Sequence, residues 1–293
     1  MGSFLKFIFD EIFYNGHFQT WGSLAIVISS GQLLDIKITW DLLVVVYLLF
    51  YAIYLYDRYK TVEIDSLTNS SRSKHIKKIY KFVPYILFAV LVVMLILSYL
   101  FSNFYAFLFL TIAIPFGFLY PIYFKKLTKK IISFKNIYVA LMFSIFVIFP
   151  SIYYGIGLEK TSFLILSMLL LLTFLRGLMM QFFLDLKDVE GDSKEGLLTM
   201  GVVFGKEKVY KIVNMMNLIT SLSFPVLYFL FPVWNLPSAV LFLSILAVWN
   251  FYFFNLAKRG NYFGFVLGSG EFIYWPLFVF LGQVVINLFI NYF

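Results

Sequence analysis

What most constrains this chain is a succession of apolar runs, each long enough to cross a bilayer, separated by charged loops. Without water, such a run satisfies its backbone only as a helix, so the chain reads as an all-α, polytopic membrane bundle. Hydrophobic residues make up 62% of the 293 and charged residues 13%, too few to cover a soluble domain of this length. The runs predict nine transmembrane helices, at about 18–34, 39–56, 80–101, 104–123, 136–155, 161–184, 208–230, 236–258 and 265–291. Pro150, Pro225 and Pro276 fall inside them and are expected to produce kinks. Over residues 1–16, Leu5, Ile8, Phe9 and Ile12 form one stripe while Asp10 and Glu11 interrupt the apolar run. That pattern predicts an interfacial helix rather than a signal peptide.

Charge sets the expected orientation. Arg58, Lys60, Arg72, Lys74, Lys77, Lys78 and Lys81 occupy one loop. Lys125, Lys126, Lys129, Lys130 and Lys135 occupy a second, and Lys187, Lys194, Lys206, Lys208 and Lys211 a third. Lys6, Lys258 and Arg259 fall on the same side, opposed by Lys37 and Lys160, which leaves Arg176 inside a helix. The N-terminus and basic loops are therefore expected in the cytoplasm and the C-terminus outside. The net charge of +8 reads as topology and anion binding, with no nucleic-acid partner. The absence of cysteine excludes disulfides, thiolate catalysis and Cys-ligated metals.

Two loops are long, about 57–80 and 185–208. Each starts with acidic residues at the end of an even-numbered helix. The layout predicts one domain over 1–293: two related four-helix halves plus a ninth helix, around a central cavity that the two loops cap. Asp185, Asp188 and Asp192 stand at i, i+3 and i+7, on one face of a helix. Asp57, Thr61 and Asp65 stand at i, i+4 and i+8. Carboxylates so grouped repel unless a cation sits among them, and hard oxygens without nearby His or Cys favour Mg²⁺ over Zn²⁺. Interleaved Lys and Arg suit the remaining oxygens of a diphosphate.

The stretch Asp185-Leu186-Lys187-Asp188-Val189-Glu190-Gly191-Asp192, followed by Ser193-Lys194-Glu195-Gly196, resembles the second aspartate motif of the UbiA superfamily of intramembrane prenyltransferases. That motif reads DxxDxEGD and precedes a Gly-Lys-rich turn. The resemblance extends to the nine-helix layout, to Tyr120, Tyr123 and Lys126 after the fourth helix, and to Asn136 opening the fifth. The family's first motif, NDxxDxxxD, is altered here. Arg58 and Thr61 stand where two aspartates are usual, and Thr68 and Ser70 replace an Asn and a Pro, whereas Arg72 is kept.

The resemblance implies Mg²⁺ on Asp57, Asp65, Asp185, Asp188 and Asp192, with Glu63 as a further candidate, and diphosphate on Arg58, Arg72, Lys126 and Lys194. It implies transfer of an isoprenyl group from an allylic diphosphate to an aromatic or lipid acceptor within the bilayer, or cyclisation or elongation of the isoprenoid. Tyr120, Tyr123, Asn136, Arg176, Gln181 and Glu271 are candidate cavity residues. Arg176 lies nine residues before Asp185, about 13–14 Å deeper along the helix. It reads either as a substrate contact or as a structural partner of Glu271, and Glu271 either as an acceptor-orienting group or as that partner. His17, Gln19 and Trp21 read as helix-end anchors, and the Asn69-Ser70-Ser71 sequon lies on the wrong side for glycosylation. A non-catalytic lipid transporter is the rival class, and it would spread ionisable groups through the helices.

Overall fold

The apolar runs become helices wherever they are long, and proline and glycine decide where those helices end. The computed structural model describes residues 3–157, 163–230 and 237–292, and the described residues contain helices and turns but no strand. The elements are α1 (Ser3–Tyr14), α2 (His17–Leu33), α3 (Trp40–Thr68), α4 (Ser70–Ile79), α5 (Val83–Phe101) and α6 (Phe104–Leu119). A π-helical turn (Tyr120–Phe124) continues α6 into α7 (Lys125–Leu127). There follow α8 (Phe134–Ile145), α9 (Phe149–Tyr153), α10 (Phe163–Asp185), α11 (Val189–Lys194), α12 (Met200–Phe204) and α13 (Lys206–Leu230). A 3₁₀ segment (Ser238–Ile245) leads into α14 (Leu246–Lys258), and α15 (Tyr262–Ser269) and α16 (Glu271–Tyr292) complete the order.

Six described helices are long and apolar enough to cross a membrane, and the bent pair α15–α16 makes a seventh. The expected span at 18–34 forms α2, of 17 residues, and that at 136–155 divides into α8 and α9. The first residues of the spans expected at 161 and 236 lie outside the described residues, as does Lys160. Phe88, Val92, Ile96 and Tyr99 stand exposed along one face of α5, and Met215, Ile219 and Leu222 along α13, as an outer wall in lipid requires.

One proline acts differently from expectation. Pro150 opens α9, where its missing N–H costs nothing, rather than kinking a continuous helix. Pro225 and Pro276 do lie within α13 and α16. The expected continuous helix at 265–291 is instead broken by 61° at Gly270, between α15 and α16. A Cβ on Gly270 would lie 2.9 Å from the ring of Phe18, so the glycine lets the break pack against α2.

The contacts close a ring. α2 packs on α3, α3 on α6, and α8 on α10, with the π-turn and α9 linking α6 to α8. The ring continues from α10 to α13, α14 and the 3₁₀ segment, then to α16 and back to α2. At 29 residues α3 is about 44 Å long, more than the roughly 30 Å hydrocarbon core, and its last turns carry Asp57 to Asp65. α4 folds back beside them. The Asn69 side chain accepts the Arg72 N–H at 3.2 Å, Ser73 Oγ donates to the Val62 carbonyl at 2.8 Å, and Ile76 packs with Leu55, Val62 and Leu87.

α1 leaves Phe4, Leu5 and Phe7 exposed, as an interfacial helix would. Glu11 ties it down through both histidines of the chain: it pairs with His17, and it lies 3.0 Å from His75 Nε2 on α4. His17, 3.7 Å away, is the largest influence on the Glu11 carboxyl. With Asn15 and His75 it outweighs burial and holds the pKa at about 2. A carboxyl depressed in the folded state contributes stability above its ordinary value near 4.5 and loses it as pH falls through about 2. Pepsin cleavage within residues 3–14 is expected to stay slow near pH 4.5 and to accelerate towards pH 2. Equal rates at both ends would contradict the latch.

Candidate active site

Both acidic stretches end helices at the same end of the bundle, and their charges meet. Arg72, on α4, lies in the fields of Asp65, Asp57 and Asp188 together. Burial opposes its charge, but Asp65 more than compensates, and the guanidinium is held above its usual pKa. It grips Asp65 with two bonds, Nε to Oδ2 at 2.9 Å and the NH2 group to Oδ1 at 2.5 Å. Thr61 Oγ donates to the same carboxylate at 3.2 Å, so its hydroxyl adds a hydrogen bond where an aspartate would add charge.

Asp57 has no such partner. Its Oδ1 is buried without a hydrogen bond among the described residues. It stands at one end of an apolar chamber of about 70 Å³ walled by Tyr54, Tyr120, Tyr138, Phe143 and Phe146. Tyr54 and Phe143 separate this chamber from a second, of about 60 Å³, which Gln19, Gly177 and Gln181 also line. On its far side the first chamber adjoins a groove of about 200 Å³ between α6 and α8, where Ile112 and Phe116 are exposed, an outlet towards lipid.

Asp185, Asp188 and Asp192 do not share one helix. α10 ends at Asp185, a turn follows, and α11 begins after Asp188. Asp185 Oδ2 accepts from Asn136 Nδ2 at 2.7 Å. Lys135 Nζ lies 3.0 Å from Asp185 Oδ1 and donates to Asp192 at 2.9 and 3.1 Å. Asp188, at the N-cap of α11, caps no backbone N–H with its side chain. It faces a cavity of about 280 Å³ with Lys187, Glu190, Lys194 and Glu195.

Several expected residues stand elsewhere. Arg58 is buried and donates to the Phe13 carbonyl at 3.1 Å and to Gln19 Oε1 at 2.9 Å, so it clamps α1–α2 to α3 rather than pointing at a ligand. Glu63 is exposed and pairs with Lys77 at 3.5 Å, because two residues before Asp65 it projects from another face of α3. Tyr123 is exposed, and so is Lys126; the π-turn aims Tyr120 inward and leaves Lys125 beside the site, 3.7 Å from Glu195. Of the surrounding cations, Lys125 acts most strongly on Asp57. Gln19 and His17 do more than anchor a helix end: one holds Arg58, and the other meets Tyr47 OH at 2.6 Å as well as Glu11. Trp21 is 40% exposed.

Arg176 and Glu271 are both fully buried and bonded to each other. Arg176 also donates to Asn217, Thr220 and Ser221, and Glu271 accepts from Asn250 and Trp275. They form a buried ion pair, and neither appears in the chamber walls.

Sequence reasoning missed Lys135 and Lys187. Lys187 lines both the Asp188 cavity and one of about 400 Å³ shared with Arg72, Gln19, Asn69 and Asn261. Burial lowers its pKa, Asp188 partly restores it, and Arg72 and Arg58 depress it further. Its place between two aspartates was the available signal. Lys135 carried no signal beyond adjacency to Asn136.

Arg58→Ala is expected to lower stability by about 1–3 kcal/mol through the partners it leaves unpaired, without changing any metal dependence of activity. Denaturation and Mg²⁺ titration check this, and a shifted Mg²⁺ requirement would contradict it.

Among the described residues no three His, Cys, Asp or Glu side chains form a cage by themselves. Mg²⁺ needs none, since it commonly takes one or two carboxylates and completes its shell with water and phosphate oxygens. The orphaned Asp57 oxygen and the free Asp188 carboxylate fit that use.

None of the curated proteins matches the chain by sequence. Solved structures share its fold. A UbiA homolog from Aeropyrum pernix K1, in its apo form, has a TM-score of 0.70 at 14% identity, covering 91% of this chain and 97% of that one. A UbiA homolog from Archaeoglobus fulgidus bound to GPP and Mg²⁺ has 0.64 at 15%, covering 92% and 99%. A digeranylgeranylglyceryl phosphate synthase has 0.57 at 20%, covering 90% and 92%. The profile of the UbiA prenyltransferase family matches residues 18–262, which is most of the chain, and on that match this integral membrane protein belongs to the UbiA prenyltransferase family.

Proposed function

We propose that the protein transfers an isoprenyl group from an allylic diphosphate to a hydrophobic acceptor inside the bilayer, releasing pyrophosphate with the help of Mg²⁺. The observation that carries this reading is the meeting of the two acidic stretches beside an aromatic chamber, with Asp57 and Asp188 both in the field of Arg72. Support also comes from the A. fulgidus homologs bound to GPP or to DMAPP with Mg²⁺.

Asp57 and Asp188 would hold the ion, which would neutralise charge building on the departing diphosphate. Arg72, Lys125, Lys187 and Lys194 would bind the remaining oxygens, replacing the Arg58 and Lys126 of the expected set. As the allylic C–O bond breaks, Tyr54, Tyr120 and Tyr138 would face the cation and exclude water, while the tail extends along the α6–α8 groove. An acceptor nucleophile would then bond to the allylic carbon and lose its proton. The nine-crossing topology, with cytoplasmic N-terminus and external C-terminus, is part of the same proposal, as is the cap formed by loops 57–80 and 185–208.

The chamber walls carry no unpaired charge apart from Asp57, and Arg176 with Glu271 is sealed in packing, which disfavours a transporter. Purified protein given geranylgeranyl or farnesyl diphosphate and Mg²⁺ is expected to release pyrophosphate and alkylate an added acceptor. A hydrocarbon product formed without acceptor would favour cyclisation or elongation, and no pyrophosphate from any allylic diphosphate would end the proposal.

A further inference from the structure

Lys135 is a buried cation placed where a metal-binding motif would put a divalent ion. Its ammonium lies within 3.1 Å of both Asp185 and Asp192, and Asn136 takes the second oxygen of Asp185. The backbone fixes this position. The Lys135 N–H donates to Thr128 Oγ at 2.9 Å. Ser133, left-handed at φ 56°, donates from its N–H to the Leu198 carbonyl at 2.8 Å, and Leu198 returns a bond to Thr128 at 2.9 Å. The turn that delivers Lys135 is thus tied to the chain just beyond α11.

The same accounting covers the first stretch. Asp65 is taken by Arg72, and Arg58 and Thr61 supply no carboxylate. Asp57 and Asp188 are the two motif aspartates with no ion pair within 4 Å among the described residues, and Glu190, also unpaired there, shares the Asp188 cavity. Asp57 additionally has a buried oxygen that nothing satisfies. A divalent ion at Asp185 and Asp192 would have to displace a largely buried ammonium, leaving that charge without its two carboxylate partners.

We infer that Lys135 is a positioning residue that stands in for one divalent cation, so that the site takes a single Mg²⁺ with a diphosphate, held from the aspartates that Lys135 and Arg72 leave free. This rests on the function proposed above and narrows it to a one-metal site with a resident ammonium. The altered first motif thereby has a counterpart in the second.

The test counts ions without turnover. The full-length protein in nanodiscs is saturated with geranyl thiolodiphosphate, an unreactive analogue, and bound Mn²⁺ is counted by electron paramagnetic resonance. The wild type is expected to bind one ion per chain, Lys135→Arg one, and Lys135→Met two, with a changed Mn²⁺ concentration dependence. The wild-type count is decisive even if Lys135→Met fails to fold. Two ions in the wild type, or one ion with unchanged affinity in a folded Lys135→Met, would overturn the inference and leave prenyl transfer standing. No analogue-dependent ion at all would overturn both.

Discussion

Asp188→Ala is expected to abolish pyrophosphate release, by at least about 100-fold, the loss seen when one group stabilising developing charge is removed. The protein should stay folded. The Asp188 side chain caps no helix, pairs with no base within 4 Å among the described residues, and faces a water-accessible cavity, so its removal leaves no buried partner unsatisfied. The loss should fall mainly on the chemical step, because Arg72, Lys125 and Lys187 would still hold the diphosphate. Single-turnover rates, read beside the thermal midpoint in detergent, check it. A variant with normal turnover would mean that Asp188 carries no metal, and an unfolded one that the carboxylate is structural.

Arg176→Met is expected to act in the opposite way, costing about 3–5 kcal/mol of stability because it strands the Glu271 carboxylate in a dry core. Glu271→Gln should cost less, since an amide still bonds Asn250 or Trp275. The double variant should recover much of the loss, because two neutral groups need no counter-ion. Activity per folded molecule should stay within about threefold of the wild type, the pair lying outside both chambers. Unfolding free energies for the two single variants and the double variant provide the check. A selective loss of kcat in a stable Arg176→Met protein would instead make Arg176 a substrate contact.

The helical bundle was legible because its cause is local. An apolar run of about twenty residues has no other way to satisfy its backbone in lipid, whatever its neighbours do. The grouping of Asp57, Asp185 and Asp188 at one end of the bundle was legible for a similar reason: acid at the end of a greasy run is costly away from water or a cation. The break at Gly270 was not legible, because it depends on the ring of Phe18 from another helix. The split of 136–155 into α8 and α9 was legible only as a kink at Pro150, which instead opens a separate helix.

The chain by itself thus determined a membrane-embedded all-helical protein with two acidic stretches and a surplus of basic side chains around them. Only the tertiary structure decided which base meets which acid. Arg58 turned to Gln19, Arg72 to Asp65, Arg176 to Glu271 and Lys135 to Asp185 and Asp192. The physical reason is that hydropathy is a sum over neighbours in sequence, whereas an ion pair forms between whichever groups packing brings within about 4 Å, here as many as 95 positions apart along the chain.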